Sequence, residues 1–265
     1  MNKKVINAVI KGKYLILAFL LIGIASSCDK GSDPKPDDEV VPPDDTTPTD
    51  ESMFYKLHRV ENYQGTQDND GVNAAPTIFF SLETKKPVEE KYKQTNRWDV
   101  AFSSLFNSFL SGNNGTNSTN SGYGNAARGG IMIVEKPFDE VVNIPTDSEF
   151  KTAGDLIGTD DYGDYGEGMG WYLYDFYGTI MRNGAVQDAH VAYALGNPLT
   201  MKNGSIIPAR TVIVRTAKGN YAKIKMISCY KDLYTPAQWY KDAPHMFFTF
   251  EYVIVPKESA KFEIK

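Results

Sequence analysis

The chain of 265 residues holds only two cysteines and three histidines. Cys28 and Cys229 cannot build the multi-bridge framework of a small secreted domain. His58, His190 and His245 are too scattered for a paired zinc motif. Positive charge is also scarce: Lys plus Arg number 28 against 33 Asp plus Glu, for a formal charge of −5 and a pI near 5.3. A nucleic-acid binder needs a basic face to meet phosphate, so that class is set aside. No glycine-rich phosphate loop, metal-binding helix motif or nucleophile elbow can be read, and no enzyme is expected. No internal repeat is found. What the chain does have is aromatic surface, with 16 Tyr and 14 Phe. These supply enough apolar body for a sizeable core despite a mean hydropathy of −0.37.

The N-terminus carries the clearest pattern. Residues 1–27 contain Lys3, Lys4, Lys11 and Lys13 without an acid, then a 12-residue apolar run at 14–25, then Ser26-Ser27 before Cys28. A bilayer span needs ~20 residues, so this stretch reads as a secretory signal. Ending on cysteine, it resembles a bacterial lipoprotein signal, in which Cys28 becomes the acylated first residue and holds the chain to a membrane. Cleavage would leave 24 basic residues against 33 acidic ones. Residues 28–52 follow, rich in acids and in proline (Pro34, Pro36, Pro42, Pro43, Pro48) and almost free of apolar side chains. Such a composition cannot offset its ordering entropy and predicts an extended tether. With Cys28 committed to lipid, Cys229 has no partner and reads as a buried small hydrophobe.

From 53 to 265 the period is two, which predicts one all-β domain of mostly antiparallel strands. Met246, Phe248, Phe250, Tyr252 and Ile254 form an unbroken apolar face within residues 245–255. Trp98, Val100 and Phe102 alternate with Arg97, Asp99 and Ala101 in the same way. Residues 210–216 and 221–230 read as a hairpin through Ala217-Lys218-Gly219-Asn220. Further strands are expected at 77–83, 129–135 and 170–176. Helix signals are few and short, the best being Thr235-Pro236-Ala237-Gln238, with proline at the first helical position. Two long glycine-rich stretches, 111–130 and 154–170, break the pattern, and loops of that length are usually functional or disordered. Residues 178–208 read as irregular. The acidic run Asp160-Asp161-Tyr162-Gly163-Asp164 misses the calcium-loop template and reads as a solvated loop.

Several short motifs recur along this frame: Arg97-Trp98-Asp99-Val100-Ala101-Phe102, Asn120-Ser121-Gly122, Gly129-Gly130, Phe138, Ile144-Pro145-Thr146-Asp147, Gly170-Trp171, and Val212-Ile213-Val214-Arg215-Thr216-Ala217-Lys218-Gly219-Asn220-Tyr221-Ala222-Lys223. In order and approximate spacing they resemble the HmuY-type haem-binding lipoproteins. The resemblance implies an all-β fold that grips haem between two loops at one end, with haem iron as its only metal. It also implies a lipid-anchored place at the outer membrane, exposed on the cell surface. The implied partners are haem or haem-carrying proteins and a TonB-dependent receptor in iron acquisition. The alternative on the same fold is a lipoprotein without haem whose loops take glycan or protein.

In that family the iron lies between two axial His or Met side chains, one in the loop before the Gly-Trp strand and one after it. Here the preceding loop offers Met169. Beyond Trp171 the positional candidate is Tyr177, since a phenolate can ligate haem iron, with Met181 and His190 as alternatives. His190 follows Asp188, a carboxylate able to orient an imidazole. Tyr162 and Tyr165 are the expected stacking contacts.

Overall fold

The even-numbered apolar face of residues 245–255 becomes the centre of the domain. In the computed structural model, which describes residues 42–66 and 72–265, this stretch is β13 (His245–Val255). Its neighbours are β1 (Leu57–Gln64) and β12 (Tyr221–Tyr230), and β11 (Thr211–Arg215) and β6 (Gly130–Val134) complete an antiparallel five-stranded sheet in the order β1-β13-β12-β11-β6. Phe248, Phe250, Tyr252 and Ile254 are buried on one face, as the alternation predicts. Val253 and Val255 are buried on the other face, under Phe138, Val141, Phe150 and Phe262. The β11–β12 connection is the expected tight turn, with Gly219 at φ +91° and its N–H on the Thr216 carbonyl at 3.0 Å.

A second sheet packs on the Phe248–Ile254 face. It is built from β2 (Ile78–Ser81), β3 (Lys86–Val88), β4 (Val100–Ser103) and β5 (Phe109–Gly112), in the order β3-β2-β4-β5. Phe80 meets Phe250 edge-on at 5.4 Å, and Phe102 meets Phe248 at 4.8 Å. The domain is therefore an all-β, mostly antiparallel sandwich, and every helix among the described residues is a single 3-10 turn of three residues. The expected turn at Pro236–Gln238 is one of them.

Trp98 departs from the expected alternation. It lies with Phe79 and Ala101 in a separate cluster, while Val100 and Phe102 enter the main core. The strand starts only at Val100, so Trp98 is free to take the other face. Asp99, expected on a polar outer face, is buried. The segment 178–208, expected to be irregular, contains β8 (Val191–Ala194), paired with β7 (Tyr172–Asp175), and a two-residue hairpin of β9 (Leu199–Thr200) with β10 (Ile206–Ile207). Trp171, Leu173, Val191 and Tyr193 carry this second hairpin into the main core.

The glycine- and asparagine-rich loop after β5 is stitched by its asparagines. Asn113 Nδ2 donates to the carbonyls of Thr95 and Trp98 at 2.9 Å, and Asn120 Nδ2 to those of Gly112 (2.7 Å) and Thr152 (2.9 Å). Asn125 Nδ2 donates to Thr95 O at 2.8 Å and Asn113 Oδ1 at 2.9 Å. These side chains satisfy backbone groups that a loop would otherwise leave to water. Glycine is required where the chain runs close: a Cβ on Gly115 would stand 1.9 Å from the Asn125 carbonyl oxygen.

Cys28, the signal segment and tether residues 28–41 lie outside the described residues. Residues 42–52, placed by composition in the tether, are held to the domain and enter a 3-10 turn at Glu51–Met53. Asn96 N donates to Asp44 Oδ1 (2.7 Å), Lys218 Nζ to Asp45 Oδ2 (2.9 Å), and Thr49 Oγ1 to the buried Glu83 carboxylate. Asp45 is held down to about 2: burial opposes ionisation, and the Lys218 and Thr47 hydrogen bonds outweigh it.

Candidate functional site

The β7–β8 hairpin and the two loops that flank it carry most of the residues the sequence singled out. Loop 158–170 runs along the free edge of β7. Asp160 N donates to Tyr172 O (2.8 Å), Asp164 N to Tyr174 O (2.8 Å), and Phe176 N to Asp164 Oδ2 (2.8 Å). The loop is closed at its base by Asp160, whose Oδ2 accepts from Gly170 N (3.0 Å) and Arg210 Nε (2.9 Å). Asp160 is therefore fully buried and ion-paired, not part of a solvated acidic run. Arg210 also reaches Glu135 at 2.6 Å and lies 5.7 Å over the Tyr162 ring, which directs Tyr162 to this charged base.

Tyr165, at φ +62°, sits at the other side of the loop and meets Phe176 edge-on at 5.4 Å and Tyr174 at 6.3 Å. At the end of β7 the buried Asp175 carboxylate accepts three backbone N–H groups, from Thr179 (2.9 Å), Ile180 (3.1 Å) and Met181 (2.9 Å). This folds the chain back at Gly178, whose φ is +68°, and leaves Tyr177 projecting next to Phe176 at 4.7 Å. His190 enters from the start of β8. Its N–H reaches Phe176 O at 3.2 Å, its imidazole stands edge-on to Phe176 at 4.6 Å, and its Nδ1 lies 3.0 Å from the Tyr174 hydroxyl.

Tyr165, Tyr177 and His190 thus converge around Phe176 and Tyr174. The first two are 73% and 65% exposed, high for rings in mutual contact. Met169 is also exposed, between Gly168 (φ +103°) and Gly170 on the same loop as Tyr165. Met181 packs against the main core. His190 is not oriented by Asp188, as the sequence suggested: that carboxylate accepts from Ala185 N (3.2 Å) and pairs with Arg182 (3.5 Å). Tyr174 takes that place. Burial pushes the Tyr174 phenol up to about 12, with Tyr172, Tyr165 and Asp164 adding to the shift, so it stays neutral at physiological pH.

Tyr174 and Phe176, on which these residues converge, were not among the residues expected from sequence because they read as ordinary strand aromatics. The signal was present: Tyr172, Tyr174 and Phe176 recur at period two. Among the described residues no group of three His, Cys, Asp or Glu side chains could hold a bare metal ion. A concavity of about 830 Å³ lies elsewhere, lined by residues 45–49 and by Lys218, Asn220 and Lys257.

The motifs and this fold meet in one family. The chain matches the model of the HmuY protein family over residues 73–238, more than half its length, and it belongs to that family. HmuY proteins are haem-binding, non-enzymatic proteins at the level of the family. Among solved structures, the chain is similar to one from Bacteroides vulgatus ATCC 8482 described as an HmuY-like heme-binding protein. The two are 14% identical, with 77% of this chain and 94% of that one covered and a TM-score of 0.31. A Bacteroides fragilis NCTC 9343 protein described as a lipoprotein is 13% identical, with 77% and 92% covered and a TM-score of 0.29. No curated protein matches the chain.

Proposed function

We propose that the protein binds haem without catalysis on the face formed by Tyr165, Tyr174, Phe176, Tyr177 and His190, as a lipid-anchored protein of the outer cell surface. The observation that carries this reading is the convergence itself. An exposed imidazole, with no hydrogen bond to its Nε2 among the described residues, stands beside flat rings that water only partly covers. That donor set fits an iron porphyrin: a nitrogen for the metal, and apolar faces for the macrocycle. When bound, haem would supply an iron that accepts a side-chain ligand, and the chain's part is to present that ligand and exclude water from the ring. His190 is the foremost ligand on this reading. Met169 and Tyr177 are the exposed candidates for the other side, and Met181 would have to leave the core to serve.

Haemin titration tests it. Wild-type protein should give a Soret band distinct from that of free haemin, and His190→Ala should shift it. Met169→Ala or Tyr177→Phe should shift it if that residue is the second ligand. No haemin spectrum under oxidising or reducing conditions would end the haem reading. The same exposed tyrosines would then serve a glycan or protein, since exposed flat aromatic rings with acidic neighbours suit either.

Anchoring through Cys28 and delivery of haem to a TonB-dependent outer-membrane receptor complete the proposal. Acyl chains supply most of the membrane affinity of such proteins. Cys28→Ala should therefore move the protein from the membrane to the soluble fraction, and unchanged membrane association would count against the anchor.

A further inference from the structure

Three restraints act on the His190 ring: its own backbone, and Phe176 and Tyr174 from the β7 side of the hairpin. The backbone of His190 is left-handed, at φ +59°, a conformation that costs a non-glycine residue energy and persists only where its surroundings hold it. Its N–H is tied to Phe176 O, and the Phe176 ring closes one side of the imidazole at 4.6 Å. The third restraint is polar: the Tyr174 hydroxyl at 3.0 Å from Nδ1. Metal-binding histidines commonly have the second ring nitrogen fixed by a carboxylate, a carbonyl or water. Here the nearby carboxylates are engaged elsewhere, Asp188 with Arg182 and Asp175 with three backbone N–H groups.

We infer that Tyr174 is the positioning residue of this site: its hydroxyl fixes the His190 imidazole so that Nε2 is the nitrogen presented outward to a haem iron. A neutral phenol suits the task in both states of the ring. The hydroxyl can donate to Nδ1 when that nitrogen carries no proton, and its oxygen can accept from Nδ1–H when Nε2 is taken by metal. No charge has to be brought in or neutralised between the two. The inference rests on the haem reading above and names the group that makes His190 competent within it.

Tyr174→Phe tests the hydroxyl alone, because the ring that meets Tyr165 and Phe176 is kept. Two probes separate orientation of a ligand from shape of the face: haemin, and metal-free protoporphyrin IX, which has no iron to ligate. The expected result is a loss of haemin affinity of about ten- to a hundred-fold, the usual cost of removing a group that orients a metal ligand, with protoporphyrin affinity unchanged. His190→Ala should show the same split, larger, with a shifted Soret band. A measurement without any porphyrin stands beside these: ¹³C relaxation at the His190 imidazole should report a restrained ring in the wild type and a mobile one in Tyr174→Phe.

Equal loss for both porphyrins, unchanged haemin affinity in Tyr174→Phe, or an imidazole equally mobile in both proteins would each overturn the inference. In those cases haemin binding by the wild type would keep the haem reading intact. Failure of the wild type to bind either porphyrin would remove the haem reading and this inference together.

Discussion

β12 runs from Tyr221 to Tyr230, roughly 30 Å at ~3.3 Å per residue, and its two ends are opposite in chemistry. At the Tyr221 end the domain buries charge. Asp99 accepts from Leu82 N (2.7 Å), Ala217 N (3.0 Å), and more weakly from Glu83 N and Ser81 Oγ (3.3 Å each). Glu83 takes Thr216 Oγ1 (2.6 Å), Asn220 Nδ2 (3.0 Å) and the hydroxyl of Thr49 from the N-terminal arm. At the Tyr230 end, where the Tyr230 hydroxyl receives Ala192 N at 2.9 Å, β8 brings in the hairpin whose outer face exposes aromatic rings. At the first end the Asp99 and Glu83 carboxylates find their partners within the fold, while Arg215 Nε is buried without one. The second leaves apolar surface in water over a frame held rigid by the buried Asp160 and Asp175, and exposed apolar surface of this kind marks a place of interaction. Burial of polar groups here serves the fold, and the exposed aromatic rings form the face proposed above for binding.

The largest expected effect comes from breaking the polar end. Asp99→Ala leaves the N–H groups of Leu82 and Ala217 buried without acceptors, at about 1–3 kcal/mol each. Urea unfolding should show a loss of about 2–5 kcal/mol, on the scale of about 3–5 kcal/mol for the core change Phe250→Ala. Glu251→Ala, one position along β13, should cost under about 1 kcal/mol, since it removes a part-exposed ion pair with Arg59. Equal costs at 250 and 251 would mean the register is misassigned.

Next comes a pH effect of definite sign. Burial, reinforced by the Glu83 charge, pushes Asp99 up to about 7 from an unfolded value of 3.8. Between those values the folded state binds a proton that the unfolded state does not. Its contribution is therefore fully present below pH 4 and is lost as pH rises through about 7. Unfolding free energy measured from pH 4.5 to 8 should contain this decline, and Asp99→Asn should remove it. An undiminished slope in the variant would assign the effect to other groups.

The two ends also differ in how far they could be read beforehand. Strand β13 and the β11–β12 turn were legible because alternation and a Gly-Asn turn are local signals. Asp99 was not, because a carboxylate between apolar residues reads as a solvent face, and only the approach of residues 82 and 217 supplies its donors. Strand β8 was hidden in Val191-Ala192-Tyr193-Ala194 because alanine gives no polar contrast on the second face, although Val191, Tyr193 and Leu195 do alternate into the core. The glycine- and asparagine-rich loop shows the same limit from the other side: its composition suggests disorder or function, yet its asparagines serve as hydrogen-bonding staples. At the aromatic end, Tyr165, Tyr177 and His190 were singled out from residue type, position and the family resemblance. Their convergence on Phe176 depends on loop 158–170 lying along β7, which no local pattern announces.

A smaller effect is expected from the arm. Lys218→Ala removes the 2.9 Å ion pair with Asp45 and the bond to Thr47 O (2.6 Å) at a partly exposed place. Stability should fall by only about 0.5–1 kcal/mol, while amide exchange of residues 43–50 should rise well above that of β12. Unchanged exchange in the arm would mean that Asn96 and Thr49 hold it without the lysine. Strand exchange rising in step would mean that the arm and the domain unfold together.

The smallest stability change, and the sharpest contrast with Asp99, belongs to Tyr165→Ala. The ring is 73% exposed, edge-on to Phe176 and tilted against Tyr174, so removing it should alter unfolding by no more than about 0.5 kcal/mol. Its part in the proposed site is to lend a flat face without touching the metal. Haemin and metal-free protoporphyrin should therefore both bind several-fold more weakly, with the Soret position of the haemin complex unmoved. Loss of stability without loss of porphyrin binding would reverse the contrast between the two ends, making the exposed tyrosine a structural prop and leaving the rings around His190 without a binding role.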